Sequence, residues 1–77
     1  MTLEDYTVFS CTQGFGSYGE PHWRIARRAD LPMTLVKVIL EKVLLVLGYV
    51  QVRYIDRGYR WSRTALGDQI AEGRHGR

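Results

Sequence analysis

The stretch GFGSYGEPHW, Gly14 to Trp23, contains Gly14-x-Gly16-x-x-Gly19, the glycine spacing of dinucleotide-binding loops. That chemistry needs a strand before the glycines and a helix after them, inside a βαβ unit. Here a helix-like segment precedes them. Pro21 can start a helix after them, but too little chain remains for a parallel nucleotide-binding sheet. The expectation is therefore no nucleotide. Gly14 ends a first helix, Gly16 and Gly19 let the chain turn, and Phe15 and Tyr18 pack down as loop anchors. Exposure of those two aromatics would instead mark a contact site.

Other reactive residues are scattered. Cys11, His22 and His75 have no metal-ligand spacing. Cys11 falls on a helix face, where a small buried thiol is the ordinary reading. Glu4 and Asp5 are adjacent, so on a helix they diverge, and capping accounts for them better than acid–base work. Ser10, Ser17 and Ser62 lack a nearby base. No catalysis, cofactor or metal is expected.

The elements that position these residues follow from periodicity and punctuation. Thr2 can cap a helix over residues 2–13, with Glu4 and Asp5 in its first turn. Leu3, Tyr6, Phe9 and Gln13 recur at helical spacing, beside Val8 and Cys11. A glycine-rich loop covers 14–20. Pro21 opens a short helix, 21–29, with Trp23, Ile25, Ala26 and Ala29 available for burial. Asp30-Leu31-Pro32 is a tight turn. A long helix spans 32–47 and stops at Gly48. The period then changes to two, giving a β-hairpin over 49–63 with its turn at Asp56-Arg57-Gly58. A two-residue loop of Arg57-Gly58 would set Tyr54 opposite Trp61 and Val52 opposite Arg63. A three-residue loop would set Arg53 opposite Trp61 and split the aromatics between faces. The first register gathers the apolar side chains on one face and is preferred. Thr64 can cap a last helix, 65–72, ended by Gly73. The tail 74–77 is expected to fray.

The chain has 77 residues, enough for one small α+β domain. Apolar residues make up 45% and charged residues 25%, the balance of a soluble globular protein. Residues 1–20 carry three carboxylates and no Lys or Arg. Residues 21–77 carry all 11 basic residues against five carboxylates, so the two parts are −3 and +6. A basic body favours an anionic partner. The first twenty residues lack the basic start and long apolar run of a signal peptide. Val43 to Leu47 is too short to cross a bilayer, which takes about 20 residues. A single cysteine fits a reducing cytoplasm.

Three segments together resemble the winged helix-turn-helix superfamily of bacterial and archaeal transcription regulators. Arg24-Ile25-Ala26-Arg27-Arg28-Ala29-Asp30-Leu31-Pro32 is similar to the first helix and turn of the motif. Leu47-Gly48-Tyr49-Val50 is similar to the end of the recognition helix and the start of the wing. Arg60-Trp61-Ser62-Arg63-Thr64-Ala65-Leu66-Gly67 is similar to the returning wing strand and the threonine-capped ending. Asp30 stands where a turn glycine is common, and Arg63 where the ending usually has an apolar residue. The long helix is about half a turn longer and far more apolar than usual for the family.

The resemblance implies a winged helix of three helices, a two-stranded wing and a short C-terminal helix, binding double-stranded DNA. Its long helix would enter the major groove and its hairpin would meet the backbone. Met33, Thr34, Lys37, Val38 and Glu41 would face the groove. Arg24, Arg27 and Arg28 would meet phosphates, and Arg53, Arg57 and Arg60 would serve the wing. Thr34 and Lys37 are the obvious base readers.

The long helix carries more apolar side chains than one face can bury. Leu35, Ile39, Val43, Val46 and Leu47 form a core stripe, widened by Val36 and Leu40. Val38 and Leu45 fall on the polar side, which marks a homodimer or protein-partner interface. The leading expectation is a DNA-binding transcription regulator. A winged helix used as a protein-binding module, an inhibitor or subunit of a larger nucleic-acid machine, is the alternative. RNA binding ranks third.

Overall fold

The computed structural model describes residues 1–73. The expected frayed tail 74–77, and His75 with it, lie outside the described residues.

Helix α1, Leu3–Ser10, begins with a reciprocal cap. The Asp5 N–H donates to Thr2 Oγ1 at 3.1 Å, and the Thr2 N–H donates to Asp5 Oδ2 at 3.0 Å. It ends three residues earlier than expected, because Gln13 leaves the helix and its carbonyl accepts the Arg63 N–H at 2.7 Å. Its buried face is also rotated from the expected stripe. Val8 and Phe9 are buried with Asp5, while Leu3 and Tyr6 are exposed.

Helix α2, His22–Ala29, buries Ile25 and Ala26 and leaves Trp23 largely exposed. Long helix α3 runs unbroken through Met33–Ile39, a π turn at Leu40–Leu44, and Leu45–Leu47. In the π turn the Leu45 N–H reaches back five residues to the Leu40 carbonyl. The wider turn changes the phase of everything after it. Val36, Ile39, Leu40 and Leu44 are buried, whereas Val46 and Leu47, expected in the core stripe, are exposed. Gly48 adopts a left-handed conformation and ends the helix.

The hairpin pairs β1, Val50–Ile55, with β2, Gly58–Arg63, antiparallel. Val52 faces Trp61 and Tyr54 faces Tyr59. Both expected registers are therefore corrected. The two-residue loop is Asp56-Arg57, not Arg57-Gly58, and both of its residues have positive φ, 52° and 65°. That is the geometry of a type I′ turn, whose twist matches the strands. The apolar side chains still share one face, because the shift between the preferred and observed registers is two residues in the pairing.

Contacts at the open end of the hairpin hold this register. The Thr64 N–H donates to the Tyr49 carbonyl at 3.1 Å, and its hydroxyl donates to the Gly48 carbonyl at 2.6 Å. The same hydroxyl accepts the Gly67 N–H, capping the last helix, Ala65–Ala71. Gly67 lies so close to Tyr49 that a Cβ there would overlap the Tyr49 carbonyl oxygen.

The core gathers Val8, Phe9, Ile25, Ala26, Val36, Ile39, Leu40, Leu44, Val50 and Trp61. The result is an α+β fold: three helices, an antiparallel hairpin and a short C-terminal helix. No helix among the described residues is long and apolar enough to cross a membrane.

Candidate nucleic-acid interface

The turn between α2 and α3 sets the angle at which α3 is presented. Asp30 takes the left-handed conformation, φ 58° and ψ 46°, which explains why it can stand where glycine is common. The Leu31 N–H closes onto the Ala26 carbonyl at 3.1 Å, and Pro32 starts α3. Beyond this turn Met33, Thr34, Lys37 and Val38 are exposed on α3, and Glu41 is half-buried. Arg27 is exposed on α2 and lines a shallow depression with Trp23, Pro32 and Met33. Arg57 is exposed at the hairpin turn.

A groove of about 570 Å³ separates α3 from the inner face of the hairpin. Leu45, Val52, Tyr59 and Trp61 give it apolar walls, and His22, Lys37 and Glu41 supply polar groups. Val38 is 52% exposed and Leu45 38%, so both aliphatics on the polar side of α3 remain open to a partner.

Three of the nominated arginines are oriented by hydrogen bonds within the protein. Arg28 grips Glu20 with two hydrogen bonds, Nη1 to Oε1 at 2.6 Å and Nη2 to Oε2 at 2.8 Å, and also donates to the Cys11 carbonyl. Arg53 donates to the Ser17 carbonyl and Arg60 to the Gly19 carbonyl. Both lie on the hairpin face opposite Trp61, away from the groove. Arg24 lies beside the Trp23 ring, 3.8 Å from Glu20 and largely exposed. The cations directed outward beside the N-terminal half of α3 and at the hairpin turn are Arg27, Lys37 and Arg57.

Glu20 escaped the sequence reading as more than a charge. It is 3% exposed, and its backbone pairs with Trp61 through bonds of 3.0 and 2.7 Å. Its hydrogen bonds from Arg28 hold its carboxyl below the usual range against the opposing effect of burial, and raise Arg28 in turn. The signal was in the spacing: Glu20, Arg24 and Arg28 recur every four residues, one helical face.

The glycine-rich loop is a strap on the hairpin. Gln13 bridges to Ser62 and Glu20 to Trp61, so both ends of the loop are fixed to β2. Gly19 has φ 89°, and a Cβ there would stand 3.1 Å from the Trp61 carbonyl oxygen. Backbone direction and close approach therefore account for this glycine without a phosphate. Phe15 and Tyr18 do not pack down as anchors: they are 58% and 55% exposed. Their neighbours in the loop turn back on the protein, with the Phe15 N–H on Asp68 and the Gly19 N–H on Gln13.

Burial raises the Cys11 thiol, the opposite of what an activated thiolate needs. Among the described residues no group of three His, Cys, Asp or Glu side chains could hold a metal ion. No family model, curated protein or solved structure matches the chain.

Proposed function

We propose that the chain is a winged helix that binds double-stranded DNA as a transcription regulator, with α3 in the major groove and the hairpin turn on the backbone. The observation that carries this reading is the exposed N-terminal half of α3, following a tight turn and flanked by outward cations. Thr34 and Lys37 supply base-directed groups. Arg27 and Arg57 supply phosphate contacts on either side. A cytoplasmic setting accords with the single unpaired thiol.

A mobility-shift assay on genomic duplex fragments at two salt concentrations tests it. Binding should weaken steeply with salt, and loss of one phosphate contact should reduce the log–log slope by about 1. Lys37→Ala should narrow the difference between preferred and random duplexes. Arg27→Ala should weaken both alike. Absence of duplex binding at low salt would refute the reading.

A second reading is favoured by a specific feature, the apolar groove lined by Leu45, Val52, Tyr59 and Trp61, with Val38 exposed on the same helix. Base edges and phosphates offer little to that many aliphatic and aromatic groups, whereas a protein partner would bury them. In this reading the same helix and hairpin clasp a protein, and the domain is an inhibitor or subunit of a nucleic-acid machine.

A further inference from the structure

Arg53 and Arg60 stand directly opposite each other on neighbouring strands, on the hairpin face turned away from α3. Like charges in that position repel. Among the described residues neither forms an ion pair with a carboxylate. The Arg53 guanidinium is held by the Ser17 carbonyl at 2.9 Å and that of Arg60 by the Gly19 carbonyl at 3.0 Å. Each guanidinium has five N–H donors, so one carbonyl contact orients it and leaves most of its capacity free. The strap therefore aims two cations at one place.

The same strap presents an aromatic ring beside them. The Arg60 guanidinium lies 4.7 Å from the Tyr18 ring centroid. Tyr18 is kept in place from its other end, its hydroxyl donating to Asp56 at 3.3 Å. Phe15 is open to solvent on the same loop. Among the described residues Asp56 is the carboxylate that meets Tyr18. Glu20 is buried on Arg28, and Asp68 is taken by Arg63 and the Phe15 N–H.

We infer that the glycine-rich strap and the outer face of the hairpin bind single-stranded nucleic acid. One base stacks on Tyr18 and a neighbouring base on Phe15, and the adjoining phosphates meet Arg53 and Arg60. Charge and shape both select this ligand. Guanidiniums complement phosphate, and an exposed ring beside them offers a stacking surface to any base. Bases in a duplex are already stacked and cannot use it. The site is on the opposite side of the hairpin from the α3 groove, so it goes beyond duplex binding and does not depend on it.

The test is fluorescence anisotropy of the whole chain with two labelled probes at one ionic strength, an oligothymidylate of about 10 nucleotides and a hairpin duplex. The unmodified protein should bind the single strand. Tyr18→Ala and Phe15→Ala should each weaken that binding by roughly 5- to 140-fold, the worth of one stacked base, with duplex binding and the thermal midpoint unchanged. Tyr18→Phe should keep most of the single-strand affinity. Single-strand binding that survives Lys37→Ala supports a separate site even if duplex binding never appears. Failure to bind the single strand overturns the inference, as does binding indifferent to both aromatic variants. Polyglutamate binding with the same variant sensitivity, and no response to oligonucleotide, would make the patch a protein-docking surface and also overturn it.

Discussion

Glu20 accepts both hydrogen bonds of the Arg28 fork while its own backbone pairs with Trp61, so one residue ties the strap, α2 and β2 together. A carboxylate this buried is stable only because Arg28 completes it. Its folded-state pKa is lowered, so the stability it contributes is complete above the ordinary carboxyl value of about 4.3 and is lost as pH falls toward the lowered folded-state value. Glu20→Gln should therefore flatten the fall in stability on acidification, and cost roughly 1–2 kcal/mol at pH 7, below a fully buried pair because Arg28 is half exposed to screening. Arg28→Ala should cost more, since it strands the charge. Urea unfolding at a series of pH values separates the two. Gly67 is the second decisive single residue. Its missing side chain lets the last helix sit against the Tyr49 carbonyl, and the obstacle is backbone, which cannot swing aside. Gly67→Ala should destabilise by about 1–3 kcal/mol or displace the helix, read as a lower denaturant midpoint. Helix propensity alone would make Gly67→Ala stabilising, so an unchanged or raised midpoint would show that the close contact does not matter.

At the scale of elements, the hairpin shows what local sequence could and could not convey. Alternation in Val50 to Ile55 and the turn residues at 56–58 made a hairpin legible, and so did the capping of the last helix by Thr64. The turn position was not legible, because Gly58 is the residue that local rules place in a loop. Contacts at the far end override that preference: Thr64 locks onto Gly48 and Tyr49, and Glu20 locks onto Trp61. Arg57 must then adopt φ 65° at the turn, a conformation better suited to glycine. The phase of α3 was hidden for a similar reason. Nothing in the run Leu40 to Leu47 announces a π turn, and one extra residue per turn moves Val46 and Leu47 out of the core. In the candidate site, helical periodicity set Val38 and Leu45 on the polar side of α3, where both are exposed, while the groove-facing set followed from the resemblance alone. The capture of Arg53 and Arg60 by the strap was not, since it depends on carbonyls 36 and 41 positions away. Arg57→Gly tests the hairpin directly. It should raise the thermal midpoint, by relief of about 0.5–1 kcal/mol of turn strain, while weakening duplex binding on every sequence through the lost charge. Stability and affinity moving in opposite directions is the expected signature. A fall in stability would mean that Arg57 makes a compensating contact of its own.

For the whole molecule, the outstanding quantity is apolar surface left uncovered by a chain of 77 residues. A domain this small buries only about 60% of what its unfolded chain exposes. Leu45 lines the α3 groove, Val38 is exposed on the same helix, and Tyr54 and Tyr59 pack edge to face at 5.0 Å on the hairpin's inner face while staying exposed. Burying them against a second copy would add stability by mass action. A pair of α3 helices could then meet two half-sites about one DNA turn apart. Dimers most often join the same patch on each copy, so a charge placed there enters the contact twice. Leu45→Glu should separate such a dimer and leave the monomer folded, because Leu45 is partly exposed and lies outside the buried core. Sedimentation of the unmodified protein over a wide concentration range, beside Leu45→Glu, decides the matter. Concentration-dependent association abolished by the substitution supports the dimer. A protein that stays monomeric and binds duplex tightly defeats it. A monomer that ignores duplex would instead assign the groove to a foreign protein and make the protein-binding reading the stronger one.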